Sequence, residues 1–161
     1  MSKARKMLES GILRKKFKLL SSGQLLRVYP NGRQKFCIGS WKDGYRVVNI
    51  LGTVVKVHQI VFVLTHGYLP KGIDHRDKNR ANNLPENLRK CTQAQNACNR
   101  PVQSNNKTGV KGLSFAKSSQ TWRGDVYLEG EAAYFQSKNK QKVIAWIKNK
   151  RAQMHGEFAH D

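Results

Sequence analysis

The chain has 161 residues, 39% of them hydrophobic, with 30 Lys and Arg against 10 Asp and Glu; its formal charge is +20 and its pI near 10.3. That length holds one medium domain or two small ones, and the modest apolar content fits small modules better than one large core. So large a positive excess points to a polyanionic partner, nucleic acid first, and the lack of a long apolar run argues against a membrane span. Cys37, Cys91 and Cys98 are odd in number and lack CxxC spacing, which argues against a disulfide scaffold or a structural zinc site. No apolar segment follows the basic N-terminus as in a signal peptide, so a reducing cytoplasm is the expected compartment.

Met1–Leu20 carries Lys3, Arg5, Lys6, Arg14, Lys15, Lys16 and Lys18 against Glu9. It reads as an electrostatic arm for phosphates, with a first short strand at Gly11-Ile12-Leu13. Gly23–Ile38 follows as two strands around a Pro30-Asn31-Gly32 turn. Asp43-Gly44 is a second turn, and Gly52 divides Tyr45–Ile50 from Val54–Val57 as a hairpin. Val57, Ile60, Val61 and Leu64 then recur at helical spacing, and Gly67 and Pro70 end that helix. His58 lies beside its apolar stripe. His66, His155 and His160 have no partner that the sequence identifies.

Ile73–Arg100 carries the chemistry. Asp74-His75 opens it on a strand, and an asparagine-rich loop (Asn79, Asn82, Asn83) runs to Pro85-Glu86-Asn87. Leu88–Thr92 reads as a second strand. Thr92-Gln93-Ala94-Gln95 has the form of a capping box and starts a short helix. On that helix Ala94, Ala97 and Cys98 share one face and point inward, while Asn96 faces out beside Thr92 and Asn99. A carboxylate and a neutral amide oxygen suit a hard divalent cation that keeps several waters, so Asp74 and Asn96 are candidate ligands. Histidine takes a proton readily near neutral pH, so His75 is the candidate base.

These residues resemble the HNH nuclease motif, the ββα-metal fold, in its phage homing-endonuclease form. The match runs through Asp74-His75, the asparagine loop, Asn87-Leu88 and Gln95-Asn96. The resemblance implies that His75 is the general base and that Asn87 ties down the loop and orients His75. It also implies that Asp74 and Asn96 hold one divalent metal, Mg²⁺ first with Mn²⁺ the other option. Lys78 departs from it, since the family commonly has a small, glycine-like turn residue there. Members of the family often carry a histidine in a Val-His-x-Ile-Val run like Val57–Val61, which gives His58 a supporting role.

Residues 101–107 read as a linker between a module at 1–100, which includes the basic arm, and another at 108–161. In the second module Gly109–Phe115, Trp122–Leu128 and Ala133–Gln136 are expected strands, with Gly130-Glu131 as a turn. Ser137 is the expected cap of a helix carrying Val143, Trp146, Ile147 and Met154. Trp122, Val126 and Leu128 alternate onto one face of the middle strand, opposite Thr121, Arg123, Asp125 and Tyr127. Asn106–Gly112, Thr121–Gly124 and His155–Ala159 resemble the plant ethylene-response-factor (apetala-type) DNA-binding domain. The resemblance implies that the polar sheet face enters the major groove, with Lys111 and Arg123, then Lys117 and Tyr127, on DNA. Asp125 departs from it, standing where relatives often have a base.

The whole reads as an α+β protein: a ββα-metal module followed by a small three-stranded antiparallel sheet packed on one helix. The expected function is metal-dependent hydrolysis of phosphodiester bonds in double-stranded DNA, by a histidine base and one divalent metal. The alternatives are a non-catalytic, sequence-specific DNA-binding regulator that keeps the fold, and a small basic RNA-binding protein. Monomer and dimer are both open.

Overall fold

In the computed structural model, which describes residues 2–100 and 102–159, the basic N-terminal residues fold as two short helices rather than an arm with a strand at Gly11. Ser2 caps α1 (Lys3–Glu9) by accepting the Arg5 N–H at 3.2 Å. Gly11, at φ 72°, turns the chain into α2 (Ile12–Lys16). Leu8 and Leu13, each 1% exposed, drive this arrangement by entering the main core. Two apolar residues among seven basic ones were enough. His160 and Pro101, the first residue of the expected linker, lie outside the described residues.

Two three-stranded antiparallel sheets follow in the orders β1-β2-β3 and β4-β5-β6. They are built from β1 (Phe17–Leu19), β2 (Leu25–Val28) and β3 (Gln34–Phe36), then β4 (Ser40–Lys42), β5 (Tyr45–Ile50) and β6 (Thr53–Lys56). The expected turns at Pro30–Gly32, Asp43-Gly44 and Gly52 fall between strands. The apolar stripe after β6 is a helix, α3 (Val57–His66), despite its β-branched residues. Full burial of a Val, Ile or Phe side chain contributes about 1.5–3 kcal/mol, against at most about 0.7 kcal/mol of propensity lost per residue. Val57, Ile60, Val61, Phe62 and Val63 are all buried, so packing decides. Gly67 ends the helix at φ 80°, its N–H donating to the Val63 carbonyl at 2.8 Å. His66 has partners after all: its Nδ1 donates to the Phe62 carbonyl at 3.2 Å and its ring stacks on Phe62.

β7 (Gly72–His75) and β8 (Leu88–Cys91) pair antiparallel with Asp74 opposite Arg89 and His75 opposite Leu88. The loop between them ends in a 3-10 turn at Pro85–Asn87. After Thr92 comes α4 (Gln93–Cys98), whose capping box is complete. The Gln95 N–H donates to Thr92 Oγ1 at 3.1 Å, and the Thr92 N–H to Gln95 Oε1 at 2.8 Å. The expected inward face of α4 is not buried: Ala97 is exposed, Ala94 and Cys98 are half-buried, and the buried residue is Asn99. A six-residue helix is too short to bury a stripe, and Asn99 lies past its end at the C-cap.

The chain divides into two compact units, Met1–Cys91 and Thr92–Asp161, so the break precedes residues 101–107 and α4 belongs to the second unit. Within that unit Lys111 Nζ donates to the Cys98 carbonyl at 2.9 Å, and Thr92 Oγ1 to Glu129 Oε1 at 3.1 Å. Its sheet has the order β11-β10-β9, from β9 (Leu113–Ala116), β10 (Thr121–Leu128) and β11 (Glu131–Ser137). Residues 109–112 are turn rather than strand. Asn106 Oδ1 accepts the Thr108 and Gly109 N–H groups, each at 2.9 Å, and Gly112 has φ 70°. Ser137 stays in β11, and Asn139 caps α5 (Lys140–His155) by accepting the Gln141 and Lys142 N–H groups. Val143 and Ile147 of α5 press on Gly124, where a Cβ would meet Ile147 Cγ1 at 2.7 Å. His155 also has a partner, its Nε2 donating to the Tyr127 carbonyl at 3.1 Å. Among the described residues no helix is long and apolar enough to cross a membrane. Helices and antiparallel sheets in this mixture make the protein α+β.

Candidate active site

Asp74 and His75 close β7, adjacent in sequence and therefore on opposite faces of the strand, each only 5% exposed. A buried carboxylate needs a counter-charge. The register supplies one: Arg89, directly opposite, places Nε and an Nη on Asp74 Oδ2, both at 2.8 Å.

His75 is held from the loop. Its Nε2 lies 3.0 Å from Asn83 Oδ1, while Asn83 Nδ2 donates to the Ala81 carbonyl at 3.2 Å. With the amide nitrogen committed to Ala81, the oxygen faces the ring and Nε2 is the donor. The neutral imidazole then carries its lone pair on Nδ1.

Asn87 makes its side-chain bonds to the loop. Its Oδ1 accepts the Asp77 N–H at 3.0 Å; its Nδ2 donates to Asp77 Oδ1 at 2.9 Å and to the Asn82 carbonyl at 2.7 Å. The hydrogen bond to the His75 ring comes from Asn83, while the side-chain amide of Asn87 engages Asp77 and Asn82 and so fixes the loop. Burial works to raise the Asp77 carboxyl, but hydrogen bonds from Asn82, Asn87 and the Asn79 N–H hold it below the usual range. Lys78 adopts φ 63°, the left-handed conformation of the glycine-like residue it replaces, and its N–H closes the turn on the His75 carbonyl at 3.0 Å. The lysine thus keeps the turn, at a backbone cost of about 1–2 kcal/mol.

His58, in the first turn of α3, meets His75 edge-on, with ring centroids 5.1 Å apart at 85°. Burial first, then the neighbouring His75, Lys56 and Arg80, push its pKa down to about 3. It is therefore neutral at working pH and cannot exchange charge there. Its Nδ1 is buried with no hydrogen-bond partner among the described residues. Tyr45 completes the surroundings, its ring centroid 5.2 Å from that of His58 and 6.4 Å from that of His75. Lys56 Nζ lies 4.0 Å and the Arg80 guanidinium 4.6 Å from the Tyr45 centroid.

Sequence reasoning named Asn83 only as one of three loop asparagines and missed Arg89, Tyr45, Lys56 and Arg80 as parts of this neighbourhood. Arg89 had a signal, since pairing the two strands sets a base opposite a buried acid. The others had none beyond composition.

The first unit thus brings together Asp74, His75, Asn87 and His58. Asn96 stands exposed on α4, in the second unit. Among the described residues no group of three or more His, Cys, Asp or Glu gathers as a metal cluster. Cys91, buried and close to Asp74, has its thiol raised to about 11 by burial and then by that carboxylate, so it stays protonated. Cys37, Cys91 and Cys98 are free thiols.

In the second unit Arg123 and Tyr127 lie on the outer face of β10, and Lys117 follows β9 in a turn. Lys111 is off the sheet and half-buried, bonded to the end of α4. Arg123 Nε reaches both oxygens of Asp125, at 2.9 and 3.1 Å, and the guanidinium lies 4.9 Å from the Tyr134 ring centroid. Asp125, the departure noted in the sequence, therefore offsets the charge of Arg123.

A hairpin carrying a buried acid and histidine, closed by an asparagine-built loop and followed by a capped helix, defines a nuclease scaffold. The family model described as HNH endonuclease matches residues 55–98, from β6 to the end of α4, and the chain belongs to the HNH endonuclease family. It is 39% identical over 104 residues to "Protein 3.8" of Escherichia phage T7, a match covering 63% of this chain and 86% of that protein. It is 33% identical over 122 residues to "Uncharacterized HNH endonuclease L560" of Acanthamoeba polyphaga mimivirus, covering 73% of this chain and 62% of that protein. No solved structure matches the chain.

Proposed function

We propose that this protein is a metal-dependent endonuclease of the phage homing type that hydrolyses phosphodiester bonds in double-stranded DNA. The observation that carries the reading is the buried His75, whose Nε2–H is committed to Asn83 on the hairpin that also holds Asp74. In this reading Nδ1 takes a proton from the attacking water as it approaches the phosphorus. Asn83 keeps the ring in the required tautomer while the charge appears, as an outer partner does for many functional histidines. Asn87 acts one step further out, as a positioning residue, by fixing the loop from which Asn83 reaches the ring.

Asp74 would offer the divalent metal, Mg²⁺ before Mn²⁺, a hard carboxylate oxygen, and Asn96 is the amide ligand that the family resemblance adds. The donor chemistry fits: the oxygens are hard, and the nearby thiol of Cys91 is protonated. Arg89 on Asp74 Oδ2 withdraws part of the carboxylate charge and so favours modest affinity for the metal. When bound, such an ion stabilises charge on the leaving oxygen without a proton donor. The outer face of the second unit's sheet, with Arg123, Lys117 and Tyr127, is the proposed DNA reader, in the manner of an ethylene-response-factor domain. A host-cell cytoplasm is the compartment in which such an enzyme meets its DNA.

Supercoiled plasmid, incubated with the protein with and without Mg²⁺ and with His75→Ala, tests the proposal. Metal-dependent conversion to open-circular or linear DNA, lost in the variant, is expected. Tight binding with no conversion under any divalent metal would instead favour a DNA-binding regulator that keeps the fold.

A further inference from the structure

Three positively charged features meet beside His75. Lys56 and Arg80 both sit against the ring of Tyr45, at 4.0 and 4.6 Å from its centroid. Lys56 is also the N-cap residue of the ten-residue α3, whose first turn has no side-chain cap and no acidic residue. The N–H groups of that turn add their partial positive charge at the same place. Among the described residues neither Lys56 nor Arg80 has a carboxylate partner, because Asp74 is engaged by Arg89 and Asp77 by Asn79, Asn82 and Asn87. Two cations gathered on one aromatic ring repel each other, and an anion between or beside them relieves that repulsion. A second observation comes from the same helical turn: His58, 5% exposed, has its Nδ1 buried without a hydrogen-bond partner. Burial and His75 do most to lower the His58 pKa, and Lys56 and Arg80 add to them.

We propose that Lys56 and Arg80, held on Tyr45 at the N-terminus of α3, form a binding site for one backbone phosphate of the DNA, next to the bond that His75 addresses. The proposal rests on the nuclease reading for its substrate but not for its test. Tyr45 acts as the spacer: its ring fixes both cations and lies 6.4 Å, centroid to centroid, from His75. The geometry fits a phosphodiester better than a nucleobase, because both groups are donors and the site offers no acceptor pair to read a base edge.

The experiment measures equilibrium binding of a mixed-sequence duplex against salt concentration, in the His75→Ala background so that no cleavage intervenes. Lys56→Gln with Arg80→Gln is expected to lower the slope of log K against log salt by about 0.9, the value for one phosphate contact. The charge-keeping pair Lys56→Arg with Arg80→Lys should retain the parent slope, as should Tyr45→Phe, whereas Tyr45→Leu should lower it. With His75 restored, the double Gln variant should cleave about ten- to hundredfold more slowly in single turnover, since a misplaced phosphate costs that order of rate. A double Gln variant that melts like its parent and keeps the parent's salt slope would overturn the proposal. If the wild type nicks no DNA at all, the nuclease reading fails, and the salt slope still decides whether this phosphate site exists.

Discussion

In the first unit His58, Asp74, His75, Asn87 and Arg89 are all under a tenth exposed, and apart from His58 each is bound to a named neighbour. In the second unit Tyr127 is 62% exposed, Lys117 is open to solvent, and Arg123 is paired with an acid on its own strand. Burying polar groups costs free energy unless each is matched, so an assembly such as the first persists only when its geometry is specified throughout. A polar sheet face in water costs nothing and specifies little. The contrast teaches where side-chain chemistry identifies a site and where it only permits one.

The largest effect should come from breaking the buried pair. Arg89→Met strands the Asp74 carboxylate and should lower stability by about 3–5 kcal/mol, read by denaturant unfolding. Replacing Asp74 and Arg89 together with apolar residues should restore much of that loss while leaving cleavage abolished.

Asn87→Ala removes three side-chain hydrogen bonds from the loop and should cost about 2–3 kcal/mol. Asn83→Ala removes the bond to His75 and should cost about 1 kcal/mol of stability while slowing cleavage by about ten- to a hundredfold. Stability and single-turnover rate should therefore rank these two variants in opposite order. If Asn83→Ala cleaves like wild type, the ring is oriented by something else.

His58 gives the pH test. Its pKa is lowered in the folded state, from 6.5 to about 3, so the unfolded chain binds the extra proton first as pH falls. Its contribution to stability is fully present above pH 6.5 and is lost progressively as pH falls from there towards 3. Urea midpoints measured across that window should decline in wild type and less steeply in His58→Gln.

The smallest effect belongs to the second unit. Asp125→Asn frees Arg123 and should tighten DNA binding slightly, steepening the salt slope by about 0.9 if the guanidinium reaches a phosphate. An unchanged slope would mean that this face of the sheet does not touch the DNA backbone.

The order Asp74, His75, Asn87 and the frame around it were legible because that sequence of side chains has few other uses, and because Thr92 and Gln95 announce a helix start. The partner of His75 was not legible. Asn79, Asn82 and Asn83 all suit turns, and only the folded loop shows which one faces the ring. Arg89 became visible only with strand register. At the N-terminus the basic residues hid Leu8 and Leu13, whose burial converts an expected arm into two helices. Ser137 and Asn139 both have capping chemistry, and the extension of β11 decided between them. Asn96 was read from helical periodicity and from the motif resemblance, and it is exposed on α4, a helix with no buried residue.

The central claim is that His75 takes the proton from water. Single-turnover cleavage by His75→Ala, with and without added imidazole, tests it most directly. The expected rate falls by about a hundredfold or more, within the range for losing a general base, and free imidazole restores part of it. Cleavage at the wild-type rate by folded His75→Ala would contradict the account.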